Sequence, residues 1–281
     1  MPWVFRGLRD GVLTTRYPKR PDPYADEFRG AVTVVDPHAG GHVEDIANGT
    51  DDVERLCPTG AITRDESGQV RLDRGKCILC GRCAARRPEA FVWAEGSETA
   101  TLTRPALVVP EVEEDEQALA ELRGELAKRV RRLRRSVHLR HVDAGSDGAD
   151  EWEIAALLNP VYDVHRLGIF FTASPRHADI LLVTGAGARG MVQPLARTLE
   201  AMARPVVVIA VGTDAISGGI VSPSYATSEG VCHQVPVDVW VPGSPASPFA
   251  ILHGILLALG RVPAHRADHP GRPGGPEEAR A

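Results

Sequence analysis

Four of the five cysteines, Cys57, Cys77, Cys80 and Cys83, crowd into one stretch near the N-terminus, while Cys232 stands alone. That distribution reads as a ligand set rather than a disulfide framework. Cys77-Ile-Leu-Cys80-Gly-Arg-Cys83 supplies three thiolates at two-residue gaps, the loop spacing that wraps three corners of an iron–sulfur cubane. A fourth thiolate has to come from elsewhere. Four thiolates also suit tetrahedral zinc, so the residue types alone leave both chemistries open.

A second pattern, Thr184-Gly185-Ala-Gly187-Ala-Arg-Gly190, is a literal G-x-G-x-x-G between an apolar run and a helical segment, with Asp214 ending the next apolar run. It makes a NAD-binding Rossmann oxidoreductase a rival reading, although three glycines alone carry little weight. His141, His177 and His233 have no metal-ligand spacing and read as structural.

The elements that must position these residues divide the chain. It has 281 residues, 43% hydrophobic and 25% charged, with a formal net charge of -5. This is globular composition; general attraction to nucleic acid is excluded as a main function. Around the cysteines, residues 30–35, 69–72 and 90–93 read as short strands of a compact α+β unit. From 111 to 137, Leu119, Leu122, Leu126, Val130, Leu133 and Val137 recur every three or four residues, one apolar stripe on a helix. Its acids (Glu113, Glu114, Asp115, Glu116) come first and its bases (Arg131, Arg132, Arg134, Arg135) last, as the helix dipole favours. Beyond it, apolar runs at 178–184, 205–211 and 236–241 alternate with helical segments at 194–202 and 248–259, the rhythm of a parallel α/β sheet.

Residues 1–13 mix Trp3, Phe5 and Leu8 with Arg6, Arg9 and Asp10 and lack the apolar core of a signal peptide, so a cytoplasmic location is expected. The apolar runs are too short to span a bilayer, which needs about 20 residues. Trp3, Phe5, Leu8, Val12 and Leu13 could rest on a membrane surface or a membrane partner.

In two-cluster bacterial ferredoxins the Cys-Pro closing one motif ligates the other motif's cluster, and Cys57-Pro58 stands in such a place. The stretch from Gly11 to about Trp93 resembles the ferredoxin-like subunit of formate-hydrogenlyase-type, group 4 membrane-bound [NiFe] hydrogenases, a relative of a ferredoxin-like subunit of respiratory complex I. The likeness rests on Gly11-Val-Leu-Thr-Thr-Arg-Tyr17-Pro18, Phe28-Arg29-Gly30, Cys57-Pro-Thr-Gly-Ala-Ile62 and Lys76-Cys-Ile-Leu-Cys-Gly-Arg-Cys83. It implies one [4Fe–4S] cluster on Cys57, Cys77, Cys80 and Cys83. The family's second cluster is not implied, because Ala47, Thr50, Val53 and Arg87 stand where its cysteines would be.

Arg140-His141-Val-Asp143, Asn159-Pro160, Arg176-His177-Ala178-Asp179, Ser217-Gly218-Gly219-Ile220 and Val235-Pro236-Val237-Asp238 resemble the small electron-transfer subunit of the same hydrogenases, which has a counterpart in respiratory complex I. Members of that family hold a cluster on four cysteines; Asp147, Asp150, Asp214 and Ser244 occupy the matching positions here. Those are hard oxygen donors, better suited to magnesium, calcium or manganese than to a cubane. A pocket that is polar and holds no cluster is expected, with a hard cation as the other reading. Glu151 and Glu153 read as helix-start carboxylates, or by resemblance as part of a proton route.

The expectation is therefore a fusion: an N-terminal docking segment (1–28), an α+β ferredoxin-like [4Fe–4S] domain (29–104), a charged helical linker (105–138), a flavodoxin-like α/β domain with a parallel sheet (139–260) and a disordered tail (261–281). The resemblance implies an electron-transfer subunit, not catalytic alone, peripheral on the inner face of the cell membrane and held there by a large subunit and membrane subunits. A non-redox structural or coupling subunit is the alternative.

Overall fold

The computed structural model describes residues 3–36, 53–110, 116–131 and 136–262. In its N-terminal part a short helix, α1 (Trp3–Asp10), precedes strands β1 (Arg29–Val34), β2 (Ile62–Arg64) and β3 (Val70–Asp73), a one-turn helix α2 (Arg82–Arg86), and strands β4 (Phe91–Glu95) and β5 (Val108–Val109). β1 pairs antiparallel with β4, and β2-β3-β5 forms a separate antiparallel sheet. Val32, Val34, Ile62, Val70, Leu72, Phe91 and Val109 close one small core between them. Buried Arg74 ties the two sheets together: its Nε donates to the Val32 carbonyl (3.0 Å) and its backbone N–H to Leu107 (2.8 Å). Three of these strands lie where the apolar runs predicted them; Ala47 and Thr50 fall outside the described residues.

After helix α3 (Glu116–Val130), five strands form the larger sheet: β6 (Val137–Asp143), β7 (Ile169–Phe171), β8 (Ile180–Thr184), β9 (Val207–Val211) and β10 (Val239–Val241). All are parallel, in the order β10-β9-β8-β6-β7, which is the 2-1-3-4-5 order of flavodoxin-like folds. Helices α4 (Ala149–Ala156), α5 (Val192–Ala201), α6 (Gly212–Ser217) and α7 (Pro248–Ala258) follow β6, β8, β9 and β10. Both faces of the sheet are covered, which explains the unbroken apolar runs. Ile180, Leu182, Val207 and Ile209 face α4 and α7, while Leu181, Val183, Val208 and Ala210 face α5 and α6. Every residue of α7 is buried. Ser247 caps its N-terminus, accepting from the Ala250 N–H at 3.2 Å, and Pro248 opens its first turn.

The two parts share backbone and side-chain contacts. Thr101 and Trp240 exchange two 2.9 Å backbone hydrogen bonds, so the segment after β4 covers the edge of β10. The residues expected to form a docking segment are partly docked on this chain itself. Thr15 N–H donates to the Val161 carbonyl (3.0 Å), Arg166 donates to Tyr17 O (2.6 Å), and the buried Tyr17 ring meets Phe249 edge-on at 5.6 Å. No residue of α1 is buried.

One expectation is corrected. Val137 does not continue the helical stripe; it opens β6, paired with Ile169. Its place seven residues after Val130 satisfies helical spacing, but the alternation of Val137, Leu139 and sheet pairing on both sides decide for a strand. Leu126 and Val130 are buried on the α3 stripe as predicted, with Leu119 and Leu122 half-buried. Arg129 clasps Asp238 with two hydrogen bonds (2.6 and 2.7 Å), which fixes α3 to the sheet. Glu113, Glu114, Asp115, Arg132, Leu133, Arg134 and Arg135 lie outside the described residues. So does the expected tail beyond Val262, whereas Arg261 is held by the Leu167 carbonyl (2.6 Å).

Gly254 lies where α7 crosses β10 closely: a Cβ there would stand 2.4 Å from Val241 Cγ2. Gly254→Val is expected to lower stability by about 1–3 kcal/mol through overpacking, measured by urea unfolding, with Gly254→Ala milder.

Candidate functional site

Cys57 follows a 3-10 turn (Val53–Leu56), and the other three cysteines occupy the loop between β3 and α2 and the first turn of α2. Two contacts bring the segments together. Thr59 Oγ1–H donates to the Lys76 carbonyl at 2.6 Å, and Cys57 and Cys77 belong to the same apolar cluster as Cys83. Backbone amides point at the sulfurs: Ala61 N–H at Cys57 (3.2 Å), Leu79 N–H at Cys77 and Ala84 N–H at Cys83. Leu79 reaches this arrangement with a φ of +54°, and Gly81 with +70°. At Gly81 a Cβ would also stand 2.9 Å from the Trp93 ring. Cys77 and Cys83 are buried, Cys57 half-buried and Cys80 exposed.

Burial pushes the Cys77 thiol up to about 12; the Leu79 amide opposes this, and the nearby Cys83, Cys57 and Cys80 sulfurs raise it further. Burial raises Cys83 in the same way. Such thiols ionise only beside positive charge, which bound iron or zinc supplies. Among the described residues no three His, Cys, Asp or Glu side chains converge closely enough to clasp one ion. Cys57, Cys77 and Cys83 instead share one apolar cluster with amides directed at them, and Cys80 stands exposed nearby. That donor set fits an iron–sulfur cubane, whose sulfur ligands accept such bonds.

Asp147, Asp150, Asp214 and Ser244, singled out by the resemblance, lie at the carboxyl ends of β6, β9 and β10, the end at which open α/β sheets bind their ligands. Asp150, in the first turn of α4, is 6% exposed, and its Oδ1 accepts the Ala246 N–H at 2.9 Å. It rests on Gly212, where a Cβ would stand 2.0 Å from Oδ2 and where φ is +87°. Burial raises Asp150 to about 7; the Ala246 amide pulls it down, and Glu151, Asp214 and Asp147 push it up. Asp214, on α6, is raised by burial and then by Asp147 and Glu151. Asp147 is exposed and caps the Ala149 amide (2.9 Å). Three of the four positions are thus brought together. Ser244 is exposed; its loop meets the others through Ala246. This set of hard oxygens, with Asp150 already engaged by an amide, does not fit a cubane.

The two sites touch. Thr213, between Gly212 and Asp214, is fully buried, and its hydroxyl donates to the Cys77 carbonyl at 2.9 Å. A Cβ on Gly75 would stand 2.7 Å from Ile216 Cγ2, so the cysteine loop is seated directly on α6. Arg104 locks the approach with two hydrogen bonds to Asp73 (2.8 and 2.6 Å). Sequence reasoning missed Thr213, because nothing in Gly-Thr-Asp marks a contact more than a hundred residues away. It also missed that Glu151 accepts from the Thr184 hydroxyl, which in turn accepts from His141 Nε2 (2.9 Å).

The G-x-G-x-x-G loop is occupied by the protein itself. Ala186 and Ala188 N–H donate to Gly145 and Ala144 carbonyls (3.0 and 2.7 Å), and Gly187 O accepts from Ser228 and Gln234. A Cβ on Gly185 would stand 2.7 Å from the Gly145 backbone. The glycines serve close loop packing, which removes the ground for a pyrophosphate cradle.

The α/β half of the chain has known relatives. Residues 148–258 match the family model described as NADH ubiquinone oxidoreductase, 20 Kd subunit. The chain is 40% identical over 145 residues to formate hydrogenlyase subunit 7 of Escherichia coli, covering 52% of this chain and 56% of that protein. It is 40% identical over 144 residues to a protein of Pyrococcus furiosus named "Probable membrane-bound hydrogenase subunit mbhJ", covering 50% of this chain and 86% of the relative. To a NADH-quinone oxidoreductase subunit of Rhizobium etli it is 42% identical over 106 residues, 38% of this chain and 63% of the relative. The chain belongs to the family of the 20 kDa subunit of NADH ubiquinone oxidoreductase and is similar to these hydrogenase subunits. It spans only about half of the Escherichia coli relative, and the family match begins beyond the four cysteines.

Two measurements follow. A raised carboxyl favours the folded state below its ordinary pKa near 3.8 and loses that advantage as pH rises through about 7. Relative to Asp150→Asn, the wild type should therefore lose stability between pH 4 and 7, at up to about 1.4 kcal/mol per pH unit, and level off above. Separately, Thr213→Val strands the buried Cys77 carbonyl and should lower stability by about 1–3 kcal/mol, while Thr213→Ser restores most of it in the same urea titration.

Proposed function

We propose that this chain is an electron-transfer subunit of a hydrogenase-like or NADH-quinone oxidoreductase-like membrane-associated complex, with one [4Fe–4S] cluster on Cys57, Cys77, Cys80 and Cys83. The observation that supports the reading is the grouping of Cys57, Cys77 and Cys83 at one apolar cluster, with a backbone amide at each and with the exposed Cys80 near enough to act on the Cys77 thiol. The names of the relatives supply the class of complex. A cluster so held stores and passes single electrons.

The chain's residues do the rest. Cys57, Cys77, Cys80 and Cys83 hold the group. Ala61, Leu79 and Ala84 amides stabilise sulfur charge, and Thr213 fixes the loop against α6. Asp147, Asp150, Asp214 and Ser244 mark a degenerate second site that carries no electron. In this reading residues 29–104, extended by β5 (Val108–Val109), are a ferredoxin-like unit and residues 139–260, with the start of β6 at Val137, a unit like the hydrogenase small subunit, fused in one chain and linked through α3, with 1–28 a docking segment and 261–281 a tail. Partners are a large subunit and membrane subunits, and the chain is peripheral: no helix among the described residues is long and apolar enough to cross a membrane.

The oxygen donors at the degenerate site favour one second reading, a structural or coupling subunit in which the cysteines pin the fold. Anaerobic purification followed by iron and acid-labile sulfide analysis and EPR of the reduced protein separates the two. About four iron and four sulfide per chain with a single fast-relaxing signal is the expected result. About eight would overturn the assignment of the aspartate pocket, and one zinc without iron would leave the structural reading.

A further inference from the structure

Helix α3 buries Leu126 and Val130, but the next stretch of its surface is left open. Arg123 and Ala127, one turn apart on α3, are exposed and line a groove of about 350 Å³ between this helix and the end of α7. Buried Leu102, Leu126, Leu257 and Ala258 give it an apolar floor. The opening has a local cause. Gly260 follows α7 with a φ of +63°, the left-handed turn that ends a helix and favours glycine, and a Cβ there would meet nothing within 4 Å. With only Ala127 opposite, no side chain fills the space.

One free charge faces this floor. Arg129 is committed to Asp238 (2.6 and 2.7 Å), Arg261 to the Leu167 carbonyl (2.6 Å), and Lys128 lies 3.8 Å from Glu125. Arg123 makes no ion pair or hydrogen bond among the described residues. Apolar walls with one placed polar group are the make-up of a small-molecule site.

We infer that this groove binds a medium-chain alkyl carboxylate, its chain on Leu102, Leu126 and Leu257 and its head on the Arg123 guanidinium. A planar guanidinium takes a carboxylate through two parallel hydrogen bonds, and each methylene removed from water tightens binding about four-fold. The volume is at the small end for ligand pockets, which suits a single chain rather than a two-tailed lipid. The bound chain straps α3, the connection between the two halves, to the end of α7. The inference does not rest on the cluster assignment, because every residue it uses lies on α3, at the end of α7 or in the segment that covers β10.

The test is isothermal titration calorimetry of the full chain, freed of copurified amphiphiles on a hydrophobic resin, with hexanoate, octanoate and decanoate below their micelle-forming concentrations. Binding should saturate at one carboxylate per chain and tighten about four-fold per methylene until the groove is full. Decan-1-ol and decyltrimethylammonium, which bring the same chain without the ion pair, should bind at least about ten-fold more weakly than decanoate. Arg123→Gln should erase that preference, and Ala127→Trp, whose ring fills the groove, should abolish binding of all three; urea unfolding of each variant checks that it folds. Equal affinity of the wild type for decanoate and the alkylammonium, or unchanged decanoate binding in folded Ala127→Trp, would overturn the site. So would the absence of saturable binding, the result expected of a groove that another part of the chain or a partner protein already covers.

Discussion

The buried hydrogen bond from Thr213 to the Cys77 carbonyl is the contact on which the rest of the molecule's arrangement depends. It is made where β9 ends and α6 begins, a point set by the parallel sheet. Gly212 turns the chain there with a positive φ, and the Thr213 N–H is satisfied by Gly243 at 2.6 Å in the loop after β10. The hydroxyl so placed finds its acceptor in the other half of the chain. Because Gly75 allows Ile216 to press against the same loop, the cysteine site inherits its position from the α/β sheet rather than from its own two small sheets.

The same few residues explain how several carboxyl groups stand close together at the end of the sheet. A thiolate beside iron is neutralised by the metal, whereas a buried carboxylate must find a donor or keep its proton. Asp150 does both in part: the Ala246 amide reaches its Oδ1, and burial beside Asp214, Asp147 and Glu151 holds its pKa near neutrality. Asp147 avoids the problem by remaining exposed, and Asp214 lies between these cases. Burial and the neighbouring carboxylates thus favour the protonated form of Asp150, while Asp147 meets solvent. The glycine at 212 is what admits the Asp150 side chain at all.

Much was legible in the residues themselves. Continuous apolar runs predicted β8, β9 and β10 because a parallel strand is buried on both faces and its side chains need not alternate. The cysteine spacing placed Cys77, Cys80 and Cys83 on one short stretch, where the structure has them, since two-residue gaps leave no room for an intervening element. Short or doubly compatible segments were not legible. Ile62–Arg64 and Val108–Val109 are too brief to carry a pattern, and Val137 satisfies a helical period while serving a strand. For such segments the pairing partner decides, and a partner is not a local property.

By itself, then, the sequence determined the chemistry available: four soft thiolates in one half of the chain, hard oxygens at three acidic positions in the other, and a sheet whose strands had to be covered on both faces. Residue type and spacing suffice for this because donor softness and burial preference are properties of the side chains. Only the tertiary structure decided that the two sites touch, that Thr213 joins them, that the glycine loop after β8 is packed with Ser228 and Gln234, and that Cys80 is the exposed corner. Each of these depends on groups brought together from distant parts of the chain, whose meeting is set by sheet order and close backbone approach rather than by any pattern along the sequence.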